Sequence, residues 1–107
     1  MSIKRIHIAI STDDIAASVE DYSKRLAADP VYVVPGEYAL WRTDLVNLSI
    51  RKCGTAGERL RHLGVEDSDA QAMSTSTDCN GILWEHFSSN DQDQEIVDVW
   101  PDAKKIL

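Results

Sequence analysis

Apolar and polar positions alternate along residues 3–11, IKRIHIAIS. Ile6, Ile8 and Ile10 fall on one face; His7, Ala9 and Ser11 fall on the other. A period of two predicts a strand, and the small or apolar residues on both sides predict one covered on both faces. The period then changes. Ile15, Val19, Tyr22 and Leu26 recur at helical spacing, with Glu20, Asp21, Lys24 and Arg25 on the outer surface. Asp13 or Asp14 can cap this helix by accepting from its free N–H groups, and Pro30 predicts an end by Asp29. Three short β-prone runs follow: VYVV at 31–34, YALWRT at 38–43 and LVNLSIRK at 45–52. PGE turns the chain between the first two, and Asp44 marks a reversal before the third. The order to this point is β-α-β-β-β, and CGTAGE at 53–58 reads as a linker.

The pattern then restarts. RLRHLGVE at 59–66 predicts a strand with Leu60, His62 and Gly64 on one face. DSDAQAM at 67–73 predicts about two helical turns, and STSTDCNG at 74–81 a polar loop. ILWEHFSS at 82–89 predicts a strand with Leu83, Glu85 and Phe87 on one face. NDQDQE at 90–95 reads as exposed, and IVDVW at 96–100 as an edge strand or a docking tail ended by Pro101. RIHIAISTDD and RHLGVEDSD each place a His on a strand with an Asp seven positions later, 55 residues apart. Self-similarity that repeats in element order as well as in residues predicts a duplicated unit. The second copy is shorter, so some of its strands are expected to be short or missing.

The duplication gives the histidines a meaning that neither has singly. Equivalent positions in two halves related by a pseudo-twofold place His7 and His62 facing each other across a shared sheet, and a strand carrying Glu85 inward completes the set. Two imidazoles and a carboxylate on one face leave coordination positions open, which suits a divalent metal that must also bind substrate or dioxygen; the same donors suit zinc. His86 neighbours Glu85 and is expected to point to the opposite face. Glu66 shares a strand face with His62 and reads as a solvated strand-end acid. Trp41 is a candidate pocket wall, and Asn47 and Ser49, which share a face on their strand, are candidate polar contacts to a ligand. Arg59 and Arg61 make a small basic spot that Glu58 and Glu66 dilute.

Composition narrows the classes. The 107 residues predict one domain, and an apolar share of 43% supports a modest core. A formal net charge of −7 excludes binding along a phosphate backbone. No run approaches the ~18 apolar residues of a membrane span, and there is no secretory leader, so a soluble, cytoplasmic protein without a membrane partner is expected. Cys53 and Cys79 form neither a disulfide framework nor a metal clip. No dinucleotide, P-loop or nucleophile-elbow motif is present.

With these residues in view, the chain resembles the vicinal oxygen chelate superfamily, which includes glyoxalases, bleomycin-resistance proteins and extradiol dioxygenases. The resemblance is carried by His7, Asp14, Ser18 and Tyr22 in IHIAISTDDIAASVEDYSKRLA, by RHLGVEDSD, and by Asp78, Gly81, Trp84 and Glu85 in DCNGILWEHF. It implies an α+β fold in which paired βαβββ modules form a cupped mixed sheet around a metal or ligand pocket. The first module covers about 1–52 and an abbreviated second module about 59–100 of a single domain, 1–107. In extradiol-type members two His and one Glu hold the metal, and those positions fall on His7, His62 and Glu85. The opening SVEDYSKRL and HLGVE are similar to the cadmium-induced and organoarsenical-lyase group, whose arsenic chemistry needs an adjacent cysteine pair that this chain lacks. The expected function is that of a small-molecule lyase or dioxygenase using Fe, Mn, Ni or Zn at this triad. The alternative is a resistance-type protein that sequesters a ligand, for which an acidic surface suggests a cationic one, without catalysis. Either is expected to be a homodimer, since a shortened module leaves strand edges open.

Overall fold

The computed structural model describes residues 4–53 and 59–106. The linker expected at 53–58 lies, except for Cys53, outside the described residues. The elements run β1 (Lys4–Thr12), α1 (Ile15–Leu26), β2 (Tyr32–Val34), β3 (Tyr38–Arg42), β4 (Val46–Lys52), β5 (Leu60–Asp67), β6 (Ser74–Thr77), β7 (Leu83–Phe87) and α2 (Ser89–Val99). The strands form one mixed sheet in the order β2-β3-β4-β1-β5-β7-β6. The fold is α+β, as the resemblance implied.

The two halves meet where β1 and β5 pair antiparallel. On one side β1 pairs parallel with β4, and β4 antiparallel with β3; on the other, β5 pairs parallel with β7, and β7 antiparallel with β6. Thus β5, β6 and β7 stand where β1, β3 and β4 stand in the first half, while α1 and β2 have no counterpart among the described residues.

α1 forms as its pattern predicts. The Asp14 side chain accepts from the Ala17 amide at 3.0 Å, and Ala27 ends the helix in the left-handed region at φ 51°. Its apolar stripe of Ile15, Val19, Tyr22 and Leu26 packs on Ala39, Trp41, Leu48 and Ile50, with Ile8 and Ile10 at the margin. The opposite face of the sheet is covered by α2, where Ile96 packs among Val31, Tyr32, Tyr38 and Leu40.

Four local expectations are overturned. Residues 67–73 form turns rather than a helix: the Asp67 side chain accepts from the Asp69 amide at 2.9 Å and its carbonyl accepts from Ala70, which closes a turn at the end of β5. STST at 74–77 is an edge strand instead of a loop. It is exposed throughout and, among the described residues, paired only with β7, so no hydrophobic alternation marks it. Residues 89–99 are a helix rather than an exposed stretch followed by a strand or tail. Ser88 caps it by accepting from the Asp91 amide at 3.2 Å. Finally, β5 is bulged. Ala9 faces His62 but Ile10 faces Leu60, so Arg61 is an extra residue and Leu60 leaves the face of His62 and Gly64 to join that of Ile10.

Candidate metal centre

The central four strands place the candidate ligands. In β1, Ile8 and Ile10 must face α1, which turns His7 to the other side; in β4 the same alternation turns Asn47 and Ser49 the same way. His62 and Gly64 of β5 lie opposite Ala9 and His7, and Glu85 of β7 lies beside Gly64. The result brings together His7, His62 and Glu85, with one ligand atom from each inside a span of 4.8 Å. The separations are 3.0 Å between the two Nε2 atoms, 2.8 Å from His62 Nε2 to Glu85 Oε1, and 3.8 Å from His7 Nε2 to Glu85 Oε1.

Gly64 makes this convergence sterically feasible. A Cβ there would meet the Glu85 carbonyl oxygen at 2.5 Å and His7 Cδ2 at 3.2 Å. A glycine inside a strand often marks such a close approach, and this signal was readable in HLGVE.

The tautomer of His7 follows from its neighbours. Nδ1 lies 2.9 Å from Asn47 Oδ1 and 3.2 Å from the Asn47 carbonyl, and two acceptors require Nδ1 to carry the proton. The Asn47 amide is itself fixed, because its Nδ2 donates to the Glu66 carboxylate at 2.8 Å and to Gln92 Oε1 at 2.7 Å. His7 Nε2 therefore presents a lone pair to His62 and Glu85. Burial holds the His7 pKa below its ordinary value, outweighing the hydrogen bond to Asn47 that opposes the shift. The hydrogen bond from His62 is the largest effect on Glu85 and keeps its carboxyl below the ordinary range, so it stays ionised. Three acceptor-bearing groups thus point at one another, and the proton on His62 Nε2 is what reconciles them.

Glu66 overturns the expectation of a solvated acid. It is buried, at 3% exposure, and ion-paired with Arg5 and with Arg42 Nε at 3.4 Å. Arg42 also donates through Nη2 to Asp93 Oδ1 at 2.7 Å, Gln92 Oε1 at 2.9 Å and the Ser89 carbonyl at 3.2 Å, which ties α2 to the sheet. Buried ion pairs are costly to desolvate, so this cluster serves position more than stability. Glu66, Gln92 and Arg42 were missed as supporting residues, since hydrophobic periodicity does not register a helix docked through polar groups.

The other candidates fall in separate places. Ser49 lines the pocket; Asn47 lies behind His7 and acts on the ring instead of facing the cavity. Trp41 does not line this pocket: alternation along β3 puts it, fully buried, under α1, where its indole donates to Ser23 Oγ at 3.2 Å. His86 points away from the site and bonds Asp67 Oδ2 at 3.0 Å through Nε2. The DCNG turn anchors β7: Asp78 accepts from the Asn80 and Ile82 amides and from the Trp84 indole at 2.8 Å. The pocket, about 90 Å³, is lined by the triad with Tyr38, Ser49, Arg51, Arg61, Phe87 and the inner face of α2.

A metal can be tested against this geometry. Donors about 2.1 Å from a divalent ion and at roughly right angles lie about 3.0 Å apart, and tetrahedral donors about 3.4 Å. The observed 2.8, 3.0 and 3.8 Å bracket both, so the donor set fits a divalent ion with small side-chain adjustments.

The comparison that bears on this geometry is with an enzyme. Over 70 residues the chain is 34% identical to a trivalent organoarsenical cleaving enzyme of Thermomonospora curvata. The match covers 64% of this chain but 46% of that protein, so the chain spans about half the length of the relative. No protein-family profile matches the chain. Among the described residues no helix is long and apolar enough to cross a membrane.

Proposed function

We propose that the protein is a divalent-metal-dependent small-molecule enzyme of the vicinal oxygen chelate type, a lyase or dioxygenase with the ion on His7, His62 and Glu85. The convergence of these three side chains, from strands of both halves, carries the reading. The similarity to an organoarsenical cleaving enzyme supports it. The donor set accords with Fe, Mn, Ni or Zn. When bound, the ion supplies Lewis acidity toward a chelating oxygen ligand or a site for dioxygen. The chain's own residues do the rest. Asn47 holds the His7 ring with its Nε2 lone pair directed inward, Glu85 contributes negative charge, and Phe87 packs edge-on to His7 with ring centroids 5.0 Å apart. Gln92 and Ile96 of α2, both buried, line the cavity.

Among the described residues neither Cys53 nor Cys79 lines the pocket, so the reading does not extend to arsenic as substrate. The ligand-sequestering alternative is not favoured, because it gives the triad no role. Metal titration with elemental analysis of wild type, His62→Ala and Glu85→Ala tests the proposal. One equivalent in wild type, lost in both variants, is expected. Absence of bound metal in wild type, or equal content in all three, would overturn it.

A further inference from the structure

The bulge in β5 has a chemical consequence. In an unbulged strand Arg61 would face away from His62. The extra residue between the His62–Ala9 and Leu60–Ile10 pairs turns both consecutive side chains toward the same pocket, a re-aiming that bulges commonly achieve beside active sites. Arg61 lines the cavity with the triad and acts electrostatically on both Tyr38 and Glu85. Among the described residues its guanidinium has no ion pair or hydrogen bond. The pocket's other cation, Arg51, is engaged, with its guanidinium carbon 5.1 Å from the centre of the Trp100 ring. The remaining arginines near the site, Arg5 and Arg42, are paired with Glu66. A chain of net charge −7 thus places one uncommitted, solvent-exposed arginine on the lining of its cavity.

We propose that Arg61 is a substrate-recognition residue, and that the substrate is a compact organic acid whose chelating atoms meet the triad while its anionic group meets Arg61. This deepens the metal reading and rests on it. The cavity of about 90 Å³ limits the acid to a few heavy atoms inside, with any remainder toward the rim near Arg51 and Trp100. The acidic surface by itself suggests a cationic ligand; in the cavity the exposed Arg51 and Arg61 stand against Glu85 and Glu95, and a divalent ion on the triad would leave this lining net positive.

The test uses Mn²⁺-loaded protein and two probes that share a chelating head: acetohydroxamate, and succinomonohydroxamate, which adds a carboxylate tail. Calorimetry should show the tailed probe binding about tenfold tighter to wild type, with that gain lost in Arg61→Gln while acetohydroxamate changes less than about twofold. Arg59→Gln should behave as wild type, since Arg59 pairs with Asp13 outside the pocket. Equal affinities for the two probes in wild type, an equal loss of both in Arg61→Gln, or no binding of either probe would overturn the proposal. A protein that takes up no Mn²⁺ refutes the metal reading separately. In that case wild type and Arg61→Gln are titrated with succinate and with neutral succinamide. A carboxylate preference confined to wild type still supports the anion subsite, and no preference overturns it.

Discussion

In the first half of the sheet α1 covers β1, β3 and β4, and its stripe builds a core around the fully buried Trp41; in the second half β5, β6 and β7 take the matching places with, among the described residues, no helix over that face. Yet the shorter half supplies two of the three candidate ligands. The reason is topological. β5 and β7 are the strands nearest the junction, and only strands near the junction can reach a shared centre. No residue of α1 or β2 lines the pocket, so a module can lack their counterparts and keep its candidate ligands. Register sharpens the comparison. His7 lies beside Asn47 and Ala9 beside Ser49, while Gly64 lies beside Glu85. Shifting by the 55-residue repeat, Ser49 holds the place in the first half that Glu85 holds in the second. Each half therefore gives a histidine, but only one gives a carboxylate, and the Ser49 side remains toward the pocket.

The halves differ also in how each histidine is held. His7 is fixed by Asn47, Glu66 and Gln92 behind it; among the described residues, His62 has only His7 and Glu85. The histidine with more partners comes from the half that carries α1.

The largest expected effect breaks the comparison at its core. Trp41→Ala should cost about 3–5 kcal/mol, whereas Leu63→Ala, on the uncovered half, should cost about 1 kcal/mol. Urea unfolding of both variants measures the difference, and similar losses would mean that the second half has cover not evident here. Gly64→Ala strikes the junction. Overpacking against the Glu85 carbonyl and the His7 ring should cost about 1–3 kcal/mol and abolish metal uptake, read by denaturation and by metal analysis of the folded fraction.

Asn47→Ala separates positioning from ligation. It leaves His7 Nδ1 and Glu66 with fewer partners, and should weaken metal binding about 10–100-fold without changing its stoichiometry. Competition with a chromophoric chelator reports this affinity. The smallest effect concerns Asp78. The Trp84 indole, first, and the Ile82 and Asn80 amides hold its carboxyl below the ordinary range. A depressed carboxyl stabilises the fold at pH above its unfolded value, and that contribution disappears as pH falls through the folded value. Asp78→Asn should therefore have a flatter loss of thermal stability below about pH 4 than wild type, with little effect on metal at neutral pH.

The parts that were legible in the sequence were those governed by period and by caps. α1 follows from four apolar residues and Asp14, and β1 from alternating isoleucines. The pairing of His7 with His62 follows from an echo that includes element order. What escaped reading was held by polar contacts between distant segments. α2 has few apolar residues and is seated by Gln92 and Asp93 on Arg42 and Asn47, partners at least 45 positions away. β6 is polar on both faces and exists because β7 offers it an edge. The bulge at Arg61 depends on where β1 shifts register, which no property of RLRHLGVE alone determines. Trp41 was misplaced for a related reason. Its strand was identifiable, but which face α1 would cover was a matter of assembly.

The proposed function turns on one divalent ion bound where the two halves meet. Crystals soaked in Mn²⁺ and measured for anomalous scattering test it most directly. A single strong peak is expected about 2.1 Å from His7 Nε2, His62 Nε2 and a Glu85 carboxylate oxygen. A map without a peak there, or with the ion elsewhere at comparable strength, would contradict it.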